Sequence, residues 1–212
     1  MVGGSALAAA RAVAAQARAR LPWLWWGGWA MLAVSLPLLL LMQVDERTLN
    51  GVNVWVKPWK FHVSAGMHLL TLAWCAALLR PTPRRARAFG AMTAVVLVTA
   101  VFELAYITWR AAHGEASHFN VADPFAGAMY TLMGVMAVLL LGSAGVLGFW
   151  ILRARDFEHG PVLQRGLGLA LIAGWLLGTA AGAYLGGQTG HGVGVSAQDA
   201  QAAAHALPIV GW

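Results

Sequence analysis

Charge is what this sequence has least of. Only 10% of its 212 residues are Asp, Glu, Lys or Arg, against about 25% in an ordinary soluble domain. So few charges cannot solvate a globular surface, which excludes a soluble enzyme, a disordered tail and a collagen-like chain. Cysteine is nearly missing: Cys75 stands alone, so there is no internal disulfide and no cysteine metal cluster. Enzyme signatures are missing as well, with no GxxxxGK, HExxH, CxxC or GxSxG string. Gly192-Val193-Gly194-Val195-Ser196-Ala197 fits a relaxed GxGxxA pattern. It follows a long apolar run rather than a strand, so it does not read as a dinucleotide site.

What is present is apolar surface. Hydrophobic residues make up 59% of the chain and the mean hydropathy is +0.66. A bilayer is the solvent that accepts such an exterior, and crossing its hydrocarbon takes about 20 helical residues. Five stretches are long enough: 23–42, 58–79, 88–109, 125–152 and 166–187. None alternates as a barrel strand does, so each reads as a helix whose backbone groups are satisfied internally. The expected fold is an all-α polytopic transmembrane bundle of about five spans. Residues 1–22 form an amphipathic N-terminal segment, 23–187 the membrane domain, and 188–212 a Gly/Ala-rich tail.

The basic residues set the expected orientation. Of the 14, ten fall on one side of the spans: Arg11, Arg18, Arg20, Arg80, Arg84, Arg85, Arg87, Arg153, Arg155 and Arg165. Arg47, Lys57, Lys60 and Arg110 fall on the other. The positive-inside rule puts the N-terminus in the cytoplasm and the tail outside. The formal charge of +6 and the pI near 10.5 are then a topology signal rather than a nucleic-acid footprint. The partner this implies is the lipid bilayer; no nucleic-acid partner is expected. The first 22 residues carry arginine and no acid, as a helix lying on the cytoplasmic face does. The apolar run after them is too long for a signal peptide, and no small-residue cleavage site follows it. Trp23, Trp25, Trp26 and Trp150 mark the inner interface, and Trp55, Trp59 and Trp109 the outer one. Pro37 is placed to kink the first span, and Asp123-Pro124 reads as the start of the fourth, with aspartate as cap.

Helix packing has one strong pattern. Gly174, Gly178, Gly182, Gly186 and Gly190 recur every four residues in the fifth span, a glycine zipper that lets a neighbouring backbone approach closely. The partner is a helix of the same chain, with Gly127 and Gly134 of the fourth span opposite, or else a second copy or another membrane subunit.

The polar residues suggest a site. Glu103 is the one acid inside a span, where a lone carboxylate costs several kcal/mol unless it is paired, hydrated or protonated. Tyr106 and Arg110 follow at three and seven residues on the same face and are its expected partners. Six of the seven histidines fall on the outer half, His159 being the exception. His62, His113, His118 and His191, with Glu103, are one possible copper or zinc set; their spacings match no standard ligand pair, and a polar anchoring role is the plainer account. Only His68 lies deep, which leaves a bis-histidine haem without a second ligand. The outer loop HGEASHFNVAD brings Ser117, His118, Phe119 and Asn120 near Asn50, Asn53, Lys57 and Lys60, a mouth for a small polar or anionic ligand. Met129, Met133 and Met136 share a face nearby and read as packing rather than copper ligands.

The segments LNGVNVWVKPWKF, HGEASHFN, GHGVG and ALPIVGW resemble a family of bacterial polytopic integral membrane proteins to which no activity is attached. The resemblance implies a cytoplasmic (inner) membrane location and a chain continuing into further histidine-bearing helices beyond Trp212. Three functions are thus expected of the sequence. The first is a non-enzymatic protein that binds or passes a small ligand or ion through an outward mouth, with Glu103 as its protonatable group. The second is a membrane redox or metal protein using the outer histidines for copper, zinc or haem. The third is an accessory subunit docking through the span-five glycines.

Overall fold

The computed structural model describes residues 2–49, 51–119, 124–157 and 159–187, with side chains from residue 7 onward. Among these, six helices follow in order: α1 (Val2–Arg20), α2 (Pro22–Val44), α3 (Val56–Ala77), α4 (Pro83–Ala112), α5 (Pro124–Arg153) and α6 (Pro161–Gly186). A two-residue hairpin, β1 (Thr48–Leu49) with β2 (Val52–Asn53), links α2 to α3. Its turn includes Gly51 at φ 78, a left-handed angle that glycine takes without strain. The fold is an all-α helical bundle.

Proline starts each of the four most apolar helices, at Pro22, Pro83, Pro124 and Pro161. The first helical position has no backbone partner for an N–H to lose, and the ring presets φ. At α4 the cap is complete: Thr82 accepts a bond from the Arg85 amide at 3.2 Å. α4 and α6 therefore begin five residues before the apolar runs at 88 and 166. Asp123, expected to cap α5, lies outside the described residues. Pro37 sits inside α2, which continues to Val44.

Helices α2, α4, α5 and α6 are long and apolar enough to cross a bilayer, which makes the chain a multi-pass membrane protein. The expected second span behaves differently. α3 has 22 residues, about 33 Å at 1.5 Å per residue, yet it is not among the helices apolar enough to qualify. Half of it is buried, including Lys57 and His62, so protein rather than lipid surrounds its polar groups. α3 is the interior helix, with α1, α2, α4 and α5 packed around it.

Glycine brings α2 and α3 together. A Cβ on Gly28 would stand 2.9 Å from the Gly66 carbonyl oxygen, and one on Gly66 would stand 2.9 Å from that of Gly28. Neither position has room for a side chain without separating the helices. Leu32 lies over Gly66 and Leu70 over Gly28, so the two run antiparallel.

The α5–α6 contact corrects the expectation for the glycine repeat. A Cβ on Gly174 or Gly182 meets nothing within 4 Å, and Gly127 and Gly134 of α5 are equally open. Gly178 sits at an ordinary 3.6 Å from Leu141, and Gly186 at 4.0 Å from the Tyr130 hydroxyl; Gly190 lies outside the described residues. Close approach occurs instead at Gly148 and Gly168, where a Cβ on Gly148 would lie 2.8 Å from the Gly168 carbonyl oxygen, and at Gly145, which receives the Trp175 ring. Gly178 and Gly186 thus meet α5 only at ordinary distance and Gly174 and Gly182 do not meet it, so the repeat is not the face on which the two backbones approach. Gly168 is the one buried residue of α6 among those described.

The helix ends sort into two groups. At one end Arg20 Nη1 donates to the Ala77 and Leu79 carbonyls at 3.2 and 3.3 Å. Arg85 forks onto Asp156 at 2.7 and 2.8 Å, and Gln164 Nε2 donates to Ile151 and Ala154 at 2.7 and 2.6 Å. The arginine-bearing segments therefore meet at this end. At the other, Arg47 Nη1 donates to the Ala112 carbonyl at 2.9 Å, tying the hairpin to the end of α4. α1 is not a free surface helix: Ala17 is fully enclosed and α1 packs on α3.

Candidate functional site: the buried carboxyl and the lysine–histidine mouth

Glu103 projects from the face of α4 that also carries Val96, Thr99, Ala100, Tyr106 and Ile107, all buried. Its own exposure is 6%, and no hydrogen bond or ion pair reaches it among the described residues. The two expected partners turn elsewhere. Arg110 pairs with Glu115 at 2.8 Å, donates from Nε to the Ala116 carbonyl at 3.3 Å, and lies 5.6 Å from the centre of the Trp109 ring. Tyr106 is buried with its hydroxyl unpartnered, packed with Ile107 and Met133. Seven residues are about 10 Å of helix, so Arg110 reaches the polar loop more readily than it reaches back to Glu103. What remains is an acid and a phenol three residues apart with no counter-charge.

Towards the loop end, Lys57 Nζ stands 2.9 Å from His118 Nδ1, and the Ser117 hydroxyl stands 3.1 Å from the same nitrogen. Lysine can only donate, so Nδ1 is the acceptor and the ring proton sits on Nε2. Phe61 and Tyr130 flank the imidazole at 6.2 and 6.0 Å. Phe119 follows at φ 55, a strained angle for a bulky residue, and packs on Tyr130 at 5.3 Å. Of the residues expected at the mouth, Asn53, Lys57 and Ser117 line a void of about 20 Å³ together with Glu115. That is space for one water. Asn50 and Asn120 lie outside the described residues.

The metal set does not assemble. Among the described residues no three His, Cys, Asp or Glu come together as metal ligands. His62 Nδ1 donates to the Pro58 carbonyl at 2.9 Å, and His113 Nδ1 to that of Trp109 at 2.8 Å; each is fastened to its own helix. His118 offers its lone pair to an ammonium, which also repels a cation. His68 directs Nε2 at the Leu140 carbonyl and the Ser143 hydroxyl, at 3.1 and 3.2 Å, so the nitrogen that a haem iron takes most readily is occupied. His191 lies outside the described residues. Met133 is buried with Met129 beside it, as a packing stripe requires.

The hairpin end has a feature that spacing did not foretell. Asp45 binds Arg47 in a fork, 2.9 Å to Nε and 2.7 Å to Nη2, and accepts from the Trp55 indole at 2.7 Å. These donors hold its carboxyl well below the usual range, Arg47 contributing most. Trp55 is buried by this contact and closes the end of the bundle rather than resting in headgroups. Asn53 donates to the Asp45 carbonyl and accepts from the Trp55 amide at 2.9 Å.

No known protein family, curated protein or solved structure matches the chain. The fold and side-chain geometry therefore define a class, a multi-pass all-α membrane bundle with an acid in its interior.

Proposed function

We propose that the protein is a non-enzymatic membrane protein that takes up a proton or small ion at Glu103, reached through the Lys57–His118 mouth. The observation that carries this reading is a buried glutamate with no ion pair or hydrogen bond among the described residues, three positions along α4 from a buried, unpartnered phenol. An uncompensated carboxylate at such depth costs several kcal/mol, so a proton or a cation relieves a penalty that the fold leaves standing. The mouth acts as a filter. Lys57, bonded to His118, lines a void that fits one water, which suits passage of a proton along water rather than of a hydrated ion. α3 makes the fifth crossing, the N-terminus and the arginine-rich end face the cytoplasm, and a bacterial inner membrane is the setting that the family resemblance implies.

The test is proton flux into proteoliposomes under a potassium diffusion potential, read by an entrapped pH dye. Wild type carries flux at least about tenfold above Glu103→Gln, the size of effect when a buried proton carrier is removed. Equal flux in the two, or none in wild type, overturns the reading. A reporter fused between Arg84 and Arg87 tests the orientation and stays cytoplasmic.

A second reading has its own support. α6 leaves Gly174 and Gly182 facing open space, which suits docking of a second copy or of another membrane subunit. Crosslinking from Gly182→Cys in a Cys75→Ala background tests it; no crosslinked species in native membranes counts against it.

A further inference from the structure

At the arginine-rich end the bundle opens a groove of about 490 Å³ between the α1–α2 junction and the first turns of α4. Its walls are apolar, with Trp23, Phe89 and Leu97 among them, and Arg20 and Arg85 stand at its rim. Arg20 lines the groove and spends one nitrogen, Nη1, on the Ala77 and Leu79 carbonyls, with no acid paired to it among the described residues. Around it the basic end carries ten arginines and, in sequence, only Asp156 and Glu158 as acids. Leu97 lies twelve residues beyond Arg85, about 18 Å along α4, which matches the roughly 15 Å depth of one leaflet. A cationic rim, an apolar channel below it and the length of one leaflet describe an amphiphile with an anionic head and a long tail.

We propose that this groove is a binding site for an anionic phospholipid, its phosphate on Arg20 and one acyl chain laid along α4 from Phe89 to Leu97. Guanidinium and phosphate match as fork and acceptor, and basic pockets between helices at the membrane surface recognise such headgroups. Gly90 provides the channel floor: a Cβ there meets nothing within 4 Å, so the space beside it is free for a chain. The site is independent of Glu103, which lies on the buried face of α4 nearer its other end.

The test is native mass spectrometry of the full chain after equilibration with equimolar phosphatidylglycerol and phosphatidylcholine of identical acyl chains. Wild type retains one phosphatidylglycerol in preference. Arg20→Gln lowers that retention about fivefold, the worth of one basic residue facing an anionic headgroup. Gly90→Leu fills the channel without a clash and abolishes retention while the helical circular dichroism stays unchanged. Equal retention of the two lipids, or retention in Gly90→Leu as in wild type, overturns the proposal. So does a lipid-free dimer that Gly90→Leu dissociates, which would put a second copy in the groove.

Discussion

Helices α3 and α6 are of similar length and opposite character. α3 carries two lysines and two histidines and has half its residues buried; α6 is apolar, charged only at Arg165, and has one buried residue among those described. In water the more apolar helix would be the one inside. In a bilayer the relation inverts, because lipid tails accept apolar side chains as readily as a protein interior does, whereas polar groups need protein partners. Hydropathy here tracks exposure rather than burial. Burial follows small residues and polar bonds instead, as at Gly28, Gly66 and the His68–Leu140 contact.

That contrast can be broken by substitution. The largest effect is expected at Gly66→Leu, where the new side chain meets the Gly28 carbonyl and Leu32; it lowers stability by about 3 kcal/mol, while Gly174→Leu changes it by less than about 0.5 kcal/mol. Thermal unfolding of the two variants in one detergent checks the pair, and similar losses would erase the distinction between the helices. Leu69→Ala comes next. Leu69 is fully enclosed in α3, and the cavity costs about 2 kcal/mol, the low end for leucine because solvent transfer contributes little in lipid. Leu177→Ala on exposed α6 costs about 0.5 kcal/mol or less, measured by the same unfolding. Gly145→Leu collides with the Trp175 ring and costs about 1–2 kcal/mol; its signature is faster proteolysis of α6, with the α2–α3 pair left resistant.

The smallest effect is on pH, and it belongs to the helix ends. Asp45 and Asp156 both have folded-state carboxyls held below the ordinary range, chiefly by Arg47 and Arg85. A lowered folded value means the stabilisation is complete above the unfolded pKa, about 3.9. It is lost as pH falls below that towards the folded values. The melting temperature should thus drop below about pH 4, and Asp45→Asn with Asp156→Asn should flatten the drop. An unaltered slope in the double variant would assign acid sensitivity to other groups.

Much of the fold was legible because the bilayer leaves few choices. Length and apolarity located four of the long apolar helices, α2, α4, α5 and α6, and arginine placement identified the end at which the α3–α4 and α5–α6 turns meet. The zipper of α6 was legible as a repeat but not as a contact, since periodicity fixes which residues share a face and not what that face meets. Gly148 and Gly168 belong to no repeat, so their contact was invisible until α5 and α6 were placed together. At the site, the isolation of Glu103 inside a span could be read from the sequence, but its lack of a partner could not. Arg110 shares its face, and only the loop after α4 reveals Glu115 as the nearer acid. The Lys57–His118 bond joins residues 61 apart and has no local signature.

The central claim is that α3 crosses the bundle sheltered by protein while α6 lies against lipid. Photolabelling in native membranes with a lipid-soluble carbene precursor, mapped by mass spectrometry, tests it directly. The account predicts heavy labelling at Leu169, Leu176 and Leu177 of α6 and almost none at Leu69 and Leu72 of α3. Labelling of α3 as strong as that of α6 would contradict it.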